Sequence, residues 1–220
     1  MPESQAEVDR FPDSGELGCH GKLTSRQPVF QRMCVYCGSS AGIRPVYAEA
    51  AATLGRLLAS QGVELVYGGG CRGLMGSLAD AVLEAGGRVI GVMPETLVNL
   101  EVAHRGLTEL RIVTSMHERK ALMTELADAF LILPGAWGTL DELCEAVTWL
   151  QLGIHAKPCG LWNVNGYYDS FLQFLRHAVA EGFLKKEHCE LLQVSRDVDE
   201  LLKIMRYSNH TGEVSCTTVS

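Results

Sequence analysis

The chain has 220 residues, 47% of them apolar and 20% charged, and a formal net charge of −7. These values are typical of a globular domain with a substantial core, and the acidic balance argues against an extended nucleic-acid-binding surface. No run of about 18 apolar residues is present, so the sequence predicts no membrane span. The first residues lack the pattern of a secretion signal. We therefore expect a cytoplasmic location, with the nucleus as a further one.

Strand and helix patterns alternate from residue 32 onward. Strands are predicted at 32–38, 63–67, 88–93, 110–113, 129–133, 159–164 and 191–194. Helices are predicted at 45–61, 73–85, 116–126, 140–152, 167–181 and 198–206. This alternation favours right-handed crossovers and a parallel sheet, and the apolar strands indicate helices on both faces.

The fold class that follows is α/β, with a Rossmann-like doubly wound parallel sheet in a single domain. We place that domain at residues 32–207. Residues 1–31 are polar and rich in Gly and Pro, which is typical of a mobile leader, and residues 208–220 are predicted to form a flexible tail.

Two of the eight cysteines, Cys34 and Cys37, have the C-x-x-C spacing of redox pairs. A redox pair would begin a helix, whereas these residues lie in a predicted strand. A separation of three residues puts them on opposite faces of that strand. We therefore predict reduced, structural cysteines.

Glycine-rich turns follow three of the predicted strands. In a sheet of this kind ligands bind beyond the carboxyl ends of the strands. The first turn contains Gly38, Ser39 and Ser40, and the second contains Gly69, Gly70 and Gly73. The second turn satisfies G-x-G-x-x-G in the right context. It is also consistent with a plain tight turn, and a dinucleotide site would need an acid that Glu95 supplies only in part.

The third turn is the most informative one. The residues Pro134, Gly135, Ala136, Trp137, Gly138, Thr139, Leu140, Asp141 and Glu142 follow the strand 129–133 and open a helix. A glycine-rich turn at a helix N-terminus directs backbone N–H groups at an anion, often a phosphate. Glu142 brings a carboxylate into the same region. Thr139 and Glu142 also have capping-box spacing, so a structural role for Glu142 stays open.

A second helix start carries two cations. Ser115 and Glu118 have capping-box spacing, which puts Arg119 and Lys120 in the first helical turn. Cations there oppose the helix dipole, and such a local cost often marks function. The alternative is a solvated basic pair. His117 and His155 lack partners at metal-ligand spacing, so no metal site is predicted.

Together these motifs resemble the Lonely Guy family of cytokinin riboside 5′-monophosphate phosphoribohydrolases, which occur in plants, fungi and bacteria. Residues 134–142 resemble the family signature P-G-G-x-G-T-x-x-E, and the resemblance covers roughly residues 32–206. Further matching segments are 37–40, 67–70, 73–76, 116–120, 148–155 and 163–168. Some relatives carry an old lysine decarboxylase label, which no lysine in a recognisable pyridoxal-phosphate setting supports here.

The resemblance implies hydrolysis of the N-glycosidic bond of N6-modified AMP, and AMP itself is a further candidate substrate. It implies no cofactor, a small-molecule nucleotide as the partner, and a homodimer or larger homo-oligomer with sites near the subunit interface. The implied catalytic residues are Arg119 and Glu142. The implied substrate contacts are Glu101, Lys120, the turn from Ala136 to Glu142, and Thr148. The strand-end turns add Ser39, Gly69, Gly70, Gly73 and Gly135.

One residue departs from the family signature. Ala136 occupies the position of its second glycine. If that position requires a positive φ, alanine costs on the order of 1 kcal/mol. Its methyl group would also lie next to the phosphate. Two rival hypotheses remain at this point, a non-catalytic nucleotide-binding module and a dinucleotide-dependent oxidoreductase.

Overall fold

The computed structural model describes residues 30–98 and 103–208. The strands are β1 (Arg32–Tyr36), β2 (Glu64–Tyr67), β3 (Val89–Pro94), β4 (Glu109–Val113), β5 (Ala129–Ile132), β6 (Cys159–Trp162) and β7 (Leu192–Ser195). The helices are α1 (Pro45–Ser60), α2 (Gly73–Glu84), α3 (Met116–Leu126), α4 (Trp137–Gln151), α5 (Asp169–Ala180), α6 (Lys186–Cys189) and α7 (Val198–Ser208). Short 3-10 turns lie at Glu95–Leu97 and Val164–Gly166.

The seven strands form one parallel sheet in the order β4-β3-β2-β1-β5-β6-β7. The predicted Rossmann-like sheet is therefore confirmed. The chain builds outward from β1 to β4 and then returns to place β5 on the other side of β1. The strand order thus reverses between β1 and β5, which is the point where ligands bind in open α/β sheets.

Two buried apolar layers cover the faces of the sheet. One layer packs α1, α2 and α7 against residues such as Val35, Leu65 and Leu131. The other layer packs α3, α4 and α5 against residues such as Val66 and Phe130. Helices on both faces explain why the strands are apolar on both sides.

The two C-x-x-C cysteines lie on opposite faces of β1, as predicted. Cys34 belongs to the layer under α3 and α4, whereas Cys37 belongs to the layer under α1 and α2. Both thiols are free. Burial raises the pKa of each thiol well above its ordinary value, so both stay protonated and unreactive at neutral pH.

Several boundaries differ from the predicted ones. The helix α4 begins at Trp137 rather than at Leu140, and α5 begins at Asp169, after a 3-10 turn. The one-turn helix α6 was not predicted. Most of the predicted leader and tail lies outside the described residues. Phe30, at the end of that leader, is buried in the core. Within residues 30–98 and 103–208, no helix is long and apolar enough to cross a membrane.

Candidate active site

A cavity of about 280 Å³ opens at the carboxyl ends of β1 and β5. It lies between the turn after β1, the turn after β5 and the first turns of α3 and α4. Seven of the predicted site residues line it: Ser39, Arg119, Gly135, Ala136, Gly138, Thr139 and Glu142. The strand-order reversal thus brings together residues as distant in sequence as Ser39 and Glu142.

The N-terminus of α4 forms one wall of the cavity. The first intrahelical bond runs from the N–H of Leu140 to the carbonyl of Ala136, at 2.9 Å. No side chain caps the helix at Ala136. The first N–H groups of a helix have no partner within it, and Gly138 and Thr139 are part of the cavity wall. This wall is suited to an anion.

The predicted capping box at Thr139 and Glu142 is wrong. Thr139 is not the cap but the third residue of α4, and it is buried. The turn at Gly135 packs closely against Thr139 in the first turn of α4. A Cβ added at Gly135 would lie 2.0 Å from Thr139 Oγ1. Glu142 therefore lies in the second turn of α4, where an N-terminal capping role does not apply.

Ala136 adopts a φ of −112°. The φ is negative, so the predicted cost of an alanine with positive φ does not arise. The residue is exposed and lines the cavity. The effect of its methyl group on a bound phosphate stays a prediction.

Arg119 is 6% exposed and lines the cavity from the first turn of α3. Its Nε donates to the carbonyl of Val92 and its Nη2 to the carbonyl of Gly68, each at 3.1 Å. Two backbone carbonyls, one directly after β2 and one within β3, therefore hold the guanidinium in one orientation. The alternative of a solvated basic pair is wrong for Arg119.

One of the two hydrogen bonds of the predicted capping box is present at the start of α3. Ser115 Oγ accepts a hydrogen bond from the N–H of Glu118 at 3.1 Å. The Glu118 carboxylate accepts from the N–H and hydroxyl of Thr114, at 2.8 and 2.7 Å, rather than from the N–H of Ser115. These bonds lower the pKa of Glu118. The first turn that carries Arg119 is thus fixed by its own side chains.

Glu142 is half-buried and faces the floor of the cavity. Burial raises the pKa of Tyr36 and of Cys37, and the negative charge of Glu142 raises both further. Tyr36 and Cys37 are therefore protonated and neutral beside the carboxylate of Glu142. Among the described residues that line the cavity, Glu142 is the one carboxylate and Arg119 the one cation.

Lys120 lies outside the cavity. Its ammonium group pairs with Glu145 at 2.8 Å and with Asp141 at 3.2 Å. The hydrogen bond with Glu145 is the main cause of the raised pKa of Lys120. Within this chain the lysine joins α3 to α4, and the substrate contact implied by the resemblance stays a prediction.

Gly69, Gly70 and Gly73 of the second turn do not line the cavity. Gly69 and Gly70 are buried. Gly73 has a φ of +60°, and a Cβ there would lie 2.3 Å from the backbone of Ser39. These residues therefore bring the turns after β1 and β2 into contact. Glu95, considered for a dinucleotide, does not line the cavity.

The remaining predicted contacts lie elsewhere. Trp137 is 86% exposed, and Leu140, Asp141 and Thr148 do not line the cavity either. Glu101 lies outside the described residues. The segment that follows it is attached to the second turn, because His104 N–H donates to the carbonyl of Gly69 at 2.9 Å.

Several residues that line the cavity were not predicted from the sequence, among them Tyr36, Cys37, Tyr47, Met75 and Tyr167. The strand-end rule pointed to three of them, because Tyr36 and Cys37 end or follow β1 and Tyr167 follows β6. Tyr47 and Met75 lie on helices whose apolar stripes gave no sign of a cavity. Within the described ranges, no cluster of three or more His, Cys, Asp or Glu residues is placed to hold a metal ion.

The fold and the cavity define a Rossmann-like α/β protein in which a helix N-terminus suited to an anion lies beside an arginine and a carboxylate. A protein-family model described as "Possible lysine decarboxylase" matches residues 75–205. A probable cytokinin riboside 5′-monophosphate phosphoribohydrolase of Oryza sativa subsp. japonica is 48% identical, over 91% of this chain and 88% of its own length. A cytokinin riboside 5′-monophosphate phosphoribohydrolase of Arabidopsis thaliana is 49% identical, over 79% of this chain and 81% of its own. The chain therefore belongs to the Lonely Guy family of cytokinin riboside 5′-monophosphate phosphoribohydrolases, which confirms the resemblance found in its motifs.

Solved structures support the fold at greater distance. The molybdenum cofactor carrier protein of Chlamydomonas reinhardtii has a TM-score of 0.61 and 18% identity, and the match covers 82% of this chain and 98% of that one. The molybdenum cofactor binding protein of Rippkaea orientalis has a TM-score of 0.59 and 17% identity, over 84% and 98%. At these identities the likeness concerns the fold alone.

Proposed function

We propose that this chain hydrolyses the N-glycosidic bond of cytokinin riboside 5′-monophosphates, releasing the free base and ribose 5-phosphate. One carboxylate and one arginine, the charged groups that line the cavity among residues 30–98 and 103–208, lie beside a helix N-terminus and carry the proposal. The 48–49% identity to relatives named for this activity supports it. AMP is a second candidate substrate.

The phosphate is the part of the substrate that α4 suits best. The uncapped N-terminus at Gly138 and Thr139 offers backbone N–H groups and the positive end of the helix dipole. Ser39 faces the same cavity from the turn after β1. Binding the phosphate there leaves the ribose and the base to extend toward Arg119 and Glu142.

Glu142 is the group for the chemical step. Cleavage of the bond between C1′ and the base nitrogen builds positive charge on C1′. A carboxylate beside that carbon stabilises the charge and accepts a proton from the attacking water. The water oxygen bonds to C1′, the bond from C1′ to the base breaks, and the base takes up a proton. Tyr36 and Cys37 are neutral, so among the described residues of the cavity Glu142 is the group suited to act as the general base.

Arg119 is the group for orientation. Its guanidinium is held by two carbonyls before any substrate arrives. A cation fixed in this way orients a nucleotide without paying the entropy of its own ordering during the reaction. Removing it should therefore lower turnover as well as binding.

A homodimer is part of this proposal. The outer face of α4 carries Trp137, Cys144, Thr148 and the helix end at Leu152, all exposed. Trp137 is 86% and Leu152 64% exposed, so both ends of this face offer apolar area to a second copy. Thr148 faces away from the cavity of its own chain, so a second copy would have to bring it to a substrate. A cytoplasmic location, with the nucleus as a further one, also stays a proposal.

The test is release of free base from isopentenyladenosine monophosphate by the purified chain, followed by chromatography. AMP serves as the second substrate, and the riboside without its phosphate as the control for phosphate recognition. Absence of base release both from this chain and from Ala136→Gly would contradict the proposal. Tight AMP binding in calorimetry without hydrolysis would favour a non-catalytic nucleotide-binding module instead.

A further inference from the structure

Three successive carbonyls of the turn after β5 are each held by a hydrogen bond. The Tyr168 hydroxyl donates to the carbonyl of Leu133 at 2.8 Å. The N–H of Gly38 donates to the carbonyl of Pro134 at 3.0 Å. The Tyr167 hydroxyl donates to the carbonyl of Gly135 at 2.8 Å. Two neighbouring tyrosines after β6 therefore hold the turn that begins α4.

The bond to Gly135 has a direct effect on the next N–H group. The carbonyl of Gly135 and the N–H of Ala136 belong to one planar trans peptide, in which they point in opposite directions. Holding the carbonyl toward Tyr167 therefore fixes the direction of the Ala136 N–H. That peptide leads into the uncapped N-terminus of α4, which lines the cavity.

The segment that presents the two tyrosines is held in a costly conformation. Asn165 has a φ of +51°, the one positive value among the described non-glycine residues, and such residues cluster at functional sites. The side chain of the buried Asn163 makes two hydrogen bonds. Its Oδ1 accepts from the N–H of Tyr168 at 2.8 Å, and its Nδ2 donates to Oδ1 of Asp169 at 2.7 Å. These bonds set the turn before α5 independently of the cavity.

The exposure of the two hydroxyl-bearing rings separates their roles. Tyr168 is buried and packs at right angles on Tyr167, with ring centroids 4.9 Å apart. Tyr167 is 42% exposed and also packs on Tyr47, with centroids 5.6 Å apart. Loss of the Tyr167 hydroxyl leaves both ring contacts in place, so it tests the hydrogen bond alone.

We propose that Tyr167 is a positioning residue for phosphate recognition, acting through the carbonyl of Gly135 on the peptide that leads into α4. This role rests on the proposed function for its substrate, a nucleotide 5′-monophosphate. Tyr168 supports the same turn from inside the core.

The experiment compares Tyr167→Phe with the unaltered chain and with Tyr207→Phe, which makes the same chemical change on the distant helix α7. Calorimetry measures binding of ribose 5-phosphate and of free adenine, and kinetics give kcat and KM for isopentenyladenosine monophosphate. Loss of one neutral hydrogen bond predicts an increase of about three- to tenfold in KM and in the ribose 5-phosphate Kd. Adenine binding, kcat within about twofold, and the melting temperature should be retained.

The ligand-free protein gives a second measurement that does not depend on activity. In ¹⁵N-alanine-labelled protein, the amide signal of Ala136 should shift in Tyr167→Phe and stay in place in Tyr207→Phe. An unmoved Ala136 signal would overturn the positioning role, even if phosphate binding weakened through a direct contact. Unchanged ribose 5-phosphate affinity, or an equal loss in Tyr207→Phe, would also overturn it. A chain that binds ribose 5-phosphate but does not release base would contradict the proposed activity. The role of Tyr167 would still be decided by the affinity for ribose 5-phosphate and by the Ala136 signal.

Discussion

The guanidinium of Arg119 lies directly against the backbone of Gly68. Nη2 of Arg119 donates to the carbonyl of Gly68 at 3.1 Å, and a Cβ at position 68 would lie 2.1 Å from that nitrogen. The glycine is therefore required by the arginine that lines the cavity. A Cβ at this position would clash with the end of the flexible Arg119 side chain. We therefore expect the guanidinium to be displaced while the strand keeps its position.

Gly68→Ala should accordingly reduce activity without unfolding the protein. We expect kcat/KM to fall on the order of 100-fold, because a displacement of about 1 Å at a catalytic group has an effect of this size. Thermal unfolding monitors the fold. Added to Arg119→Ala, the same change should have little further effect, since both act on one group. A full additive loss in the double variant would contradict this explanation.

Glu142→Gln tests the carboxylate with almost no change in shape. If Glu142 activates water, kcat should fall by about 10²- to 10⁴-fold, and nucleotide binding should be largely retained. Glu145→Gln is the matched control, because Glu145 lies three residues further along α4 and outside the cavity. Equal kcat values for the two variants would remove Glu142 from the chemical step.

The sequence predicted the location of the cavity well, because the carboxyl ends of parallel strands meet at one edge of the sheet. The turns at Ser39 and Gly135 therefore had to lie close together once β1 and β5 were recognised. Arg119 could also be predicted, since two cations in the first turn of a helix oppose its dipole. That local conflict pointed to a residue that lines the cavity.

Other features depended on contacts that no local pattern shows. The helix α4 begins without a capping side chain. The capping pattern at Thr139 therefore predicted its start too late, at Leu140 instead of Trp137. Tyr167 reaches Gly135 across 32 residues of sequence. The pairing of Lys120 with Glu145 depends on the packing of α3 beside α4. None of these partners has a fixed spacing that a motif could record.

Ala136→Gly tests the departure from the family signature. The φ of Ala136 is −112°, so the predicted cost of an alanine with positive φ is absent. Glycine gives the unfolded chain more freedom but also adopts this backbone conformation easily, so we expect the free energy of unfolding to change by no more than about 1 kcal/mol. We expect KM for the nucleotide to fall, since the methyl group at the cavity wall is removed. Urea unfolding and steady-state kinetics measure the two effects, and an unchanged KM would show that the methyl group is clear of the phosphate.

His155 should make stability depend on pH below neutrality. Its ring packs on Phe130 with centroids 5.3 Å apart, and its Nδ1 accepts the N–H of Lys157 at 3.2 Å. Burial, followed by the charge of Lys157, lowers the pKa of His155 below its usual 6.5. The unfolded chain therefore binds a proton before the folded chain does. Stability from this group is complete above pH 6.5 and declines as the pH falls toward the folded pKa.

His155→Asn retains an acceptor for Lys157 but cannot titrate. Urea unfolding between about pH 5 and 8 should show a smaller loss of stability on acidification for this variant than for the unaltered chain. The comparison of slopes cancels the contributions of the other histidines. Identical slopes would show that His155 does not contribute to the pH dependence.

The exposed face of α4 predicts that two chains associate. Leu152→Glu places a charge at the end of this face, and Leu152 does not line the cavity. We expect the unaltered chain to sediment with the mass of two chains and Leu152→Glu with the mass of one, because burying an unpaired carboxylate is costly. Phe183→Glu is the control, since Phe183 is 90% exposed and lies in the loop between α5 and α6. If Thr148 of a second copy completes the site, Leu152→Glu should lose activity in parallel with its loss of dimer. Full activity in a monomeric variant would show that each chain contains a complete site.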